Sequence, residues 1–144
     1  MKLKQLSLFL ENRPGQLRAP LDTLGKAGID VLTMTLADTA QFGILRFIVA
    51  DPERARKVLE AEGMIVSVTE VVTIAVDNRP GGLAAVFDAI EGAGLGVEYM
   101  YDFAARATPD KAAIIFRFED PNRAIEALKS AGVRILTSEE LLGK

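Results

Sequence analysis

Cysteine and histidine are both absent from the 144-residue sequence. Without cysteine the chain can form neither disulfide bonds nor thiolate metal sites. Without histidine it lacks the commonest general base and the commonest side-chain ligand of transition metals. These absences argue against catalysis, and we predict a protein that has no catalytic residues, no metal site and no cofactor.

Long apolar runs and an excess of positive charge are also lacking. No stretch reaches the roughly eighteen apolar residues of a membrane span. The first residues, MKLKQLSLFL, have a short apolar core and no small-residue cleavage site, unlike a secretory signal. The net charge of −3 argues against a partner that is bound by neutralising its phosphates. We therefore expect a cytoplasmic protein with no membrane or nucleic-acid partner.

One short segment is present twice. The sequence ENRPGQL at residues 11–17 returns as DNRPGGL at residues 77–83, an offset of 66 positions (77 − 11 = 66). The same offset places Leu24 on Ile90, so the similarity extends beyond the segment itself. Similarity at a fixed spacing is the signature of an internal repeat.

A second pair of matching segments shows where the copies differ in length. DPERA, which starts at Asp51, returns as DPNRA, which starts at Asp120, at an offset of 69 positions (120 − 51 = 69). Three residues are therefore inserted in the second copy, and the turn-forming segment RATPDK at 106–111 is the expected place. We predict two domains, residues 1–69 and 70–144.

Each copy shows the residue patterns of the element order βαββαβ. Alternating apolar residues predict strands, apolar residues at helical spacing predict helices, and an Asp-Pro pair predicts the start of each second helix. The order predicts a ferredoxin-like unit, in which helices cover one face of a four-stranded antiparallel sheet. The predicted strands are 6–10, 31–37, 45–49 and 64–68 in the first copy, and 72–76, 97–105, 114–118 and 133–136 in the second; a short capped helix is predicted in TSEELLGK at the end.

The sequence does not determine which side of the second strand faces the helices of its unit. The apolar residues of this strand fall on one side in the first copy and on the other side in the second. They are Leu32, Met34 and Leu36 in the first copy, and Val97, Tyr99, Tyr101 and Phe103 in the second, and either side can face the helices. In both cases apolar groups remain for a surface that the helices of the unit do not cover. The other repeat or a second copy of the chain is expected to cover it, which favours a homodimer.

The repeated loop lies between the first strand and the first helix of each copy. Pro20 is tolerated only near a helix start, so the helix is expected to begin near Gln16 or Leu17. The amides of Gly15, Gln16 and Leu17 would then be unpaired at the positive end of the helix dipole. A small anion such as an amino-acid carboxylate fits such a place.

Residues of both loops are therefore candidates for ligand binding. Asn12 and Asn78 can orient a ligand, although both can equally serve in Asx turns, and Arg13 and Arg79 are typical of solvated side chains. The predicted ligand-binding loop residues are Asn12, Arg13, Pro14, Gly15, Gln16, Leu17, Asn78, Arg79, Pro80, Gly81, Gly82 and Leu83.

Three features together resemble the ACT domain, a small regulatory module of amino-acid metabolism. They are the NRPGxL loop, the segments GIDV and GLGV after the first helix, and EYMYDF in a following strand. The resemblance covers essentially the whole chain as two consecutive ACT domains. It implies an amino acid bound at the interface between paired ACT domains, with the first loop holding its carboxylate.

The family often has Asn just before the residue that opens the second strand. This chain has Asp30 in the first copy and Gly96 in the second. Because only Asp30 can accept a hydrogen bond from a ligand ammonium through its side chain, we expect the loop that works with Asp30 to be the better amino-acid site.

Three classes of function remain open. The first is a non-catalytic sensor that binds a free amino acid or a similar small carboxylate. The second is a separate regulatory subunit with a catalytic enzyme partner, like the small subunit of acetolactate synthase, in which ligand binding is coupled allosterically to the partner. The third, an enzyme on a ferredoxin-like fold, is disfavoured because no set of titratable residues recurs in both copies.

Overall fold

The chain folds into two compact units, one formed by Lys4–Thr69 and the other by Met1–Leu3 together with Glu70–Lys144. We refer to these as the first and the second unit. The computed structural model describes residues 1–11, 13–38 and 41–143. No helix in these ranges is long and apolar enough to cross a membrane.

The elements follow the predicted order βαββαβ twice, and the last strand of the first copy continues into the first strand of the second as one strand, β4. No glycine or proline interrupts the chain there. The elements are β1 (Lys2–Glu11), α1 (Arg18–Lys26), β2 (Thr33–Asp38), β3 (Phe42–Ile48), α2 (Pro52–Ala61), β4 (Val66–Asp77), α3 (Gly82–Gly92), β5 (Val97–Asp102), a 3-10 turn (Ala104–Arg106), β6 (Lys111–Phe118), α4 (Pro121–Ser130), β7 (Ile135–Leu136) and α5 (Ser138–Leu142).

All strand pairs described within the units are antiparallel. In the first unit β3 pairs with both β1 and β2. In the second unit β6 pairs with β4 and β5, and β7 pairs with β4. The predicted α+β fold of two ferredoxin-like units is therefore confirmed.

Each unit has its own hydrophobic core between its sheet and its two longer helices. In the first unit Leu6 and Phe47 of the sheet pack with Leu24 of α1 and Leu59 of α2. The second unit repeats this arrangement with the corresponding elements, and the buried residues of this core are Val72, Ile74, Val76, Val86, Ile90, Leu95, Phe116, Phe118, Ala124, Leu128 and Ile135. The helices thus cover one face of each sheet, and the opposite face is called the open face below.

The structure resolves the orientation of the second strands. Met34 lies opposite Phe47 and therefore on the helix-covered face, because opposite residues of antiparallel strands point to the same side. Tyr101 lies opposite Ile115 on the open face. Val97 packs against the core instead, since a bulge between Val97 and Tyr99 shifts the register. The apolar set that starts at Val97 therefore does not share one face.

The predicted N-caps of the second helices and the glycine that ends the first helix are confirmed, whereas α1 begins at Arg18, just after the predicted start near Gln16 or Leu17. The carboxylate of Asp51 accepts a hydrogen bond from the amide of Arg54 at 3.2 Å. Asp120 accepts from the amide of Arg123 at 3.1 Å, so both second helices have the expected N-cap. Gly28 has a φ of +72°, which is the left-handed geometry that ends a helix.

The third strand of the second copy is present but begins at Lys111 instead of 114, and the strand before it is shorter than predicted. Residues 97–105 were expected to be extended, whereas β5 ends at Asp102 and Ala104–Arg106 form a 3-10 turn. The amide of Arg106 donates to the carbonyl of Phe103 at 2.9 Å, which closes this turn. The extra residues of the second copy thus form the connection between β5 and β6.

Candidate functional site

The first loop, residues 12–17, connects β1 with α1. Asn12, a predicted site residue, lies outside the described residues. The amide of Arg13 donates to the carbonyl of Glu11 at 2.9 Å, and its guanidinium pairs with the Glu11 carboxylate at 2.7 Å. Gly15 follows with a φ of +88°, a conformation that favours glycine. Helix α1 begins at Arg18, which places the buried Pro20 within its first turn, as the sequence requires.

The second loop, residues 78–83, connects β4 with α3 and repeats much of this geometry. Arg79 pairs with Asp77 at 3.4 Å, as Arg13 pairs with Glu11, and Gly81 has a φ of +83°. The Asn78 side chain donates to the carbonyl of Pro109 at 3.3 Å, which ties the loop to the connection between β5 and β6. This amide therefore has a structural partner.

The two loops differ at the position after the repeated Pro-Gly. A Cβ atom on Gly82 would lie 2.0 Å from the carbonyl oxygen of Asp77, so α3 starts in direct contact with the end of β4. The equivalent Gln16 carries a half-buried side chain, and α1 starts two positions later in the repeat than α3 does. The second loop is therefore the more closely packed of the two.

One of the three loop amides that we expected to be unpaired is not. The amide of Gln16 donates to the carbonyl of Arg13 at 3.2 Å, and the equivalent amide of Gly82 donates to Arg79 at 3.0 Å. Both bonds arise because the chain turns before the helix starts. Within the described ranges the amides of Gly15 and Leu17 donate to no protein atom, nor do the equivalent amides of the second loop.

A cavity of about 120 Å³ lies beside the first loop. Its walls come from the end of β1, the loop, the end of β2 and the start of β3, and combine three leucines with three charged side chains. The lining residues are Leu10, Glu11, Arg13, Leu17, Leu36, Asp38 and Gly43. Two of the predicted site residues, Arg13 and Leu17, are thus brought together with five that the sequence did not indicate.

The five additional residues share one structural cause. Glu11 pairs with Phe42, and Asp38 pairs with Gly43, so the ends of β1 and β2 meet at the start of β3. This register follows from the sheet as a whole. The only sequence signal that could have pointed to these residues is their position at the strand ends that lead into the repeated loop.

Asp30 lies at the other end of the first unit. Leu32, two residues later, donates to the carbonyl of Ile48, at the end of β2 that is remote from Asp38. Strand β2 spans about 17 Å at the usual rise per residue. Asp30 is exposed and does not line the cavity. It can therefore contact a ligand held by the first loop only from another copy of the chain.

The electrostatics of the second loop centre on Asp77. Its carboxylate binds the Lys111 ammonium, and this hydrogen bond, with a further one from Arg79, lowers the pKa of Asp77 below its ordinary value of 3.8. The group is therefore ionised at neutral pH. No cluster of metal-binding side chains is found among the residues that the structure describes.

The chain belongs to the ACT domain pair family, whose model matches residues 1–143. This confirms the predicted tandem of two ACT domains. No curated protein matches the sequence.

Solved structures agree with this assignment. Protein BT0572 from Bacteroides thetaiotaomicron is 38% identical, with a TM-score of 0.90 over 100% of this chain and 98% of its own. The ligand-free regulatory subunit of aspartate kinase from Thermus thermophilus is 20% identical, with a TM-score of 0.62 over 89% of this chain and 91% of its own. The corresponding subunit from Thermus flavus is 18% identical, with a TM-score of 0.61 over 90% and 92%. The last two share the fold.

Proposed function

We propose that the protein is a non-catalytic sensor that binds a small free amino acid, or a similar small carboxylate, beside the first loop. The observation that carries this proposal is the cavity in which Arg13 and Leu17 of the loop meet the ends of β1 and β2. Membership of the ACT domain pair family supports a ligand-binding regulatory role. That the ligand is an amino acid, and that it binds beside the first loop, is what we propose beyond this role.

The chemistry of the cavity suits both ends of an amino acid. A ligand carboxylate can accept from the amide of Leu17, a residue of the cavity lining, where the positive end of the α1 dipole adds a favourable interaction. The carboxylates of Glu11 and Asp38 can accept hydrogen bonds from a ligand ammonium. A volume of about 120 Å³ favours a small side chain, since typical pockets for larger ligands have at least about 300 Å³.

We propose that the second loop binds the same ligand with lower affinity than the first. Its residues Arg79, Pro80, Gly81 and Leu83 repeat the geometry of the first loop, but Asn78 already binds Pro109 and Gly82 is packed against Asp77. We therefore expect the first loop to bind with the higher affinity. Binding between paired ACT units, which the family resemblance implies, stays a prediction.

The test starts with a thermal-shift screen of the full chain against the standard amino acids and other small carboxylates, followed by calorimetry on any that stabilise it. Leu36→Trp fills the cavity from a position where the side chain is 46% exposed and can be enlarged without disturbing the core. Met34→Trp is the matched control, because Met34 is on the same strand and face, is 40% exposed and does not line the cavity.

The expected result is a loss of affinity of at least about ten-fold in Leu36→Trp and none in Met34→Trp, because only the first indole occupies the ligand's volume. If no amino acid or small carboxylate stabilises the chain, the proposed sensor function is wrong. If the ligand binds equally well to Leu36→Trp, the function stands and the site beside the first loop is wrong.

A regulatory subunit with a separate catalytic partner is the second candidate. The observation that favours it is the shared fold with the regulatory subunits of aspartate kinase, which extends over about nine-tenths of each chain. Ligand binding would then change the activity of the partner by a coupling free energy of about 1–3 kcal/mol. Affinity capture from the native cell, with and without the ligand found above, separates the two candidates, because a sensor acting alone retains no enzyme.

A further inference from the structure

A second cavity, of about 290 Å³, lies on the open face of the second unit. Its floor is formed where Ala75 of β4 lies opposite Ala113 of β6, and two methyl side chains leave a hollow there. Leu136 of β7 and Leu141 of α5 add further apolar surface. The cavity is therefore apolar at its base.

Charged side chains form the rim of this cavity, and cations predominate. Arg106, Lys111 and Arg134 line it together with a single carboxylate, that of Glu140. Arg134 pairs with Glu140, and Lys111 pairs with Asp77, which is not part of the lining. The rim is thus positive.

Arg106 is the cation of this rim that has no carboxylate partner within the described part of the chain. Its guanidinium lies half-buried over the ring of Phe103, 5.5 Å from the centroid, and Nε donates to the carbonyl of Leu141 at 2.5 Å. A second, longer bond of 3.5 Å goes to the carbonyl of Ala105. Both partners are neutral, so no carboxylate among the described residues compensates the charge of this guanidinium.

Three features that are particular to the second copy meet at this cavity. The positions of Ala75 and Ala113 correspond in the first copy to Phe9 and Ile44, which also lie opposite each other but carry large side chains. Arg106 belongs to the segment that contains the inserted residues. Helix α5 follows the last strand of the second copy, whereas the first copy continues there into β4. The repeated loop contributes no residue to the lining.

We propose that this cavity is a binding site for a small organic anion, whose short apolar body lies on the alanine floor and whose carboxylate or phosphate binds Arg106. An arginine without a carboxylate partner offers charge-assisted hydrogen bonds to either group. The volume lies near the lower end of ligand pockets, which limits the ligand to a small molecule. The proposal is independent of amino-acid binding beside the first loop.

The test uses calorimetry on the full chain with four compounds. Two are organic anions, 4-methylpentanoate and 3-methylbutyl phosphate, which share an apolar body and differ in the charged group. Inorganic phosphate has no apolar body, and neutral 4-methylpentanamide has no charge, so these two compounds serve as negative controls. At least one organic anion is expected to bind, and each control is expected to bind at least about ten-fold more weakly.

Two variants assign the binding to the cavity. Ala75→Leu fills the floor, and Arg106→Gln removes the charge while keeping a donor for Leu141. Each is expected to weaken binding at least about ten-fold. Arg123→Gln is the matched control, because Arg123 also donates to backbone carbonyls, those of Ala93 and Gly94, but does not line the cavity.

The outcomes separate this proposal from the sensor function. Binding of neither organic anion, or equal binding to wild type, Ala75→Leu and Arg106→Gln, would overturn the proposal. Loss of binding in Leu36→Trp, which blocks the cavity beside the first loop, would equally overturn it, because the anion would then occupy that site. Binding that survives Leu36→Trp and is lost in Arg106→Gln supports it, whether or not an amino acid binds.

Discussion

Gly82 packs directly against the carbonyl of Asp77, to which a Cβ atom at position 82 would be only 2.0 Å away. The obstacle is backbone, so Gly82→Ala must displace the start of α3 from the end of β4. We expect the free energy of unfolding to fall by about 1–3 kcal/mol, the usual cost of overpacking, measured by urea denaturation.

The control for Gly82 is the equivalent residue of the first loop. Gln16 already carries a side chain and is half-buried, so Gln16→Ala is expected to change the unfolding free energy by no more than about 0.5 kcal/mol. Equal denaturation midpoints for the two variants would contradict the close packing that distinguishes the second loop from the first.

Thr73 offers a route to higher stability. It is fully buried in β4, and its hydroxyl oxygen has no hydrogen-bond partner among the described residues. Thr73→Val keeps the shape of the side chain and removes the desolvated hydroxyl, so the free energy of unfolding is expected to rise by about 1–3 kcal/mol. Thermal and urea denaturation measure the change. The control is Thr69→Val, at a half-buried position of the same strand, which should change the stability little. A loss of stability in Thr73→Val would contradict the prediction, because it would show that the Thr73 hydroxyl is hydrogen bonded.

The lowered pKa of Glu140 is expected to make the free energy of unfolding depend on pH. Its carboxylate accepts from the amide of Thr137, the N-cap of α5, and also binds Arg134. These interactions lower the pKa of Glu140 below its ordinary value of 4.5, with the Thr137 amide as the main cause. A lowered pKa means that the stabilisation is present above about pH 4.5 and is lost as the pH falls through the lower folded-state value.

The comparison of wild type with Glu140→Gln isolates this contribution. Gln can keep the capping hydrogen bond but cannot bind Arg134 as an ion, so the variant should be less stable at pH 7. In urea denaturation its difference from wild type should shrink as the pH falls through the lowered pKa of Glu140. Asp77 also has a lowered pKa but titrates in both proteins, so its effect cancels. Glu139→Gln, which removes the same charge from the same helix turn but outside the capping box, is the matched control.

Local chemistry in the sequence was sufficient to predict most of the fold. Asp51 before Pro52 predicts a helix start, because an acceptor side chain and a residue without an amide hydrogen suit the first turn. Such signals act over a few residues. Because they occur in both copies, each prediction is supported by the equivalent pattern in the other copy. The β-bulge between Val97 and Tyr99 gave no such signal, because it depends on how β5 pairs with β6.

The candidate sites were only partly predictable for the same reason. The repeated Pro-Gly loop indicated Arg13 and Leu17, whereas Leu36 and Asp38 reach the cavity only through the pairing of β2 with β3. The packing of Gly82 on Asp77 likewise depends on where α3 starts. Residues distant in sequence become neighbours through strand register, which depends on the pairing of whole strands and has no local signal in the sequence.

Asp30 gives a test of whether two copies of the chain complete the amino-acid site. Because it lies about the length of β2 from the first loop of its own unit, it can reach a ligand there only from a partner chain. We expect Asp30→Ala to lower amino-acid affinity about ten-fold through loss of a charged hydrogen bond. Asp30→Ala mixed with Leu36→Trp, which lacks the loop cavity, should recover binding in calorimetry, since a mixed dimer contains one intact loop facing one intact Asp30. Unchanged affinity in Asp30→Ala alone would exclude this aspartate from the site and leave the loop proposal in place.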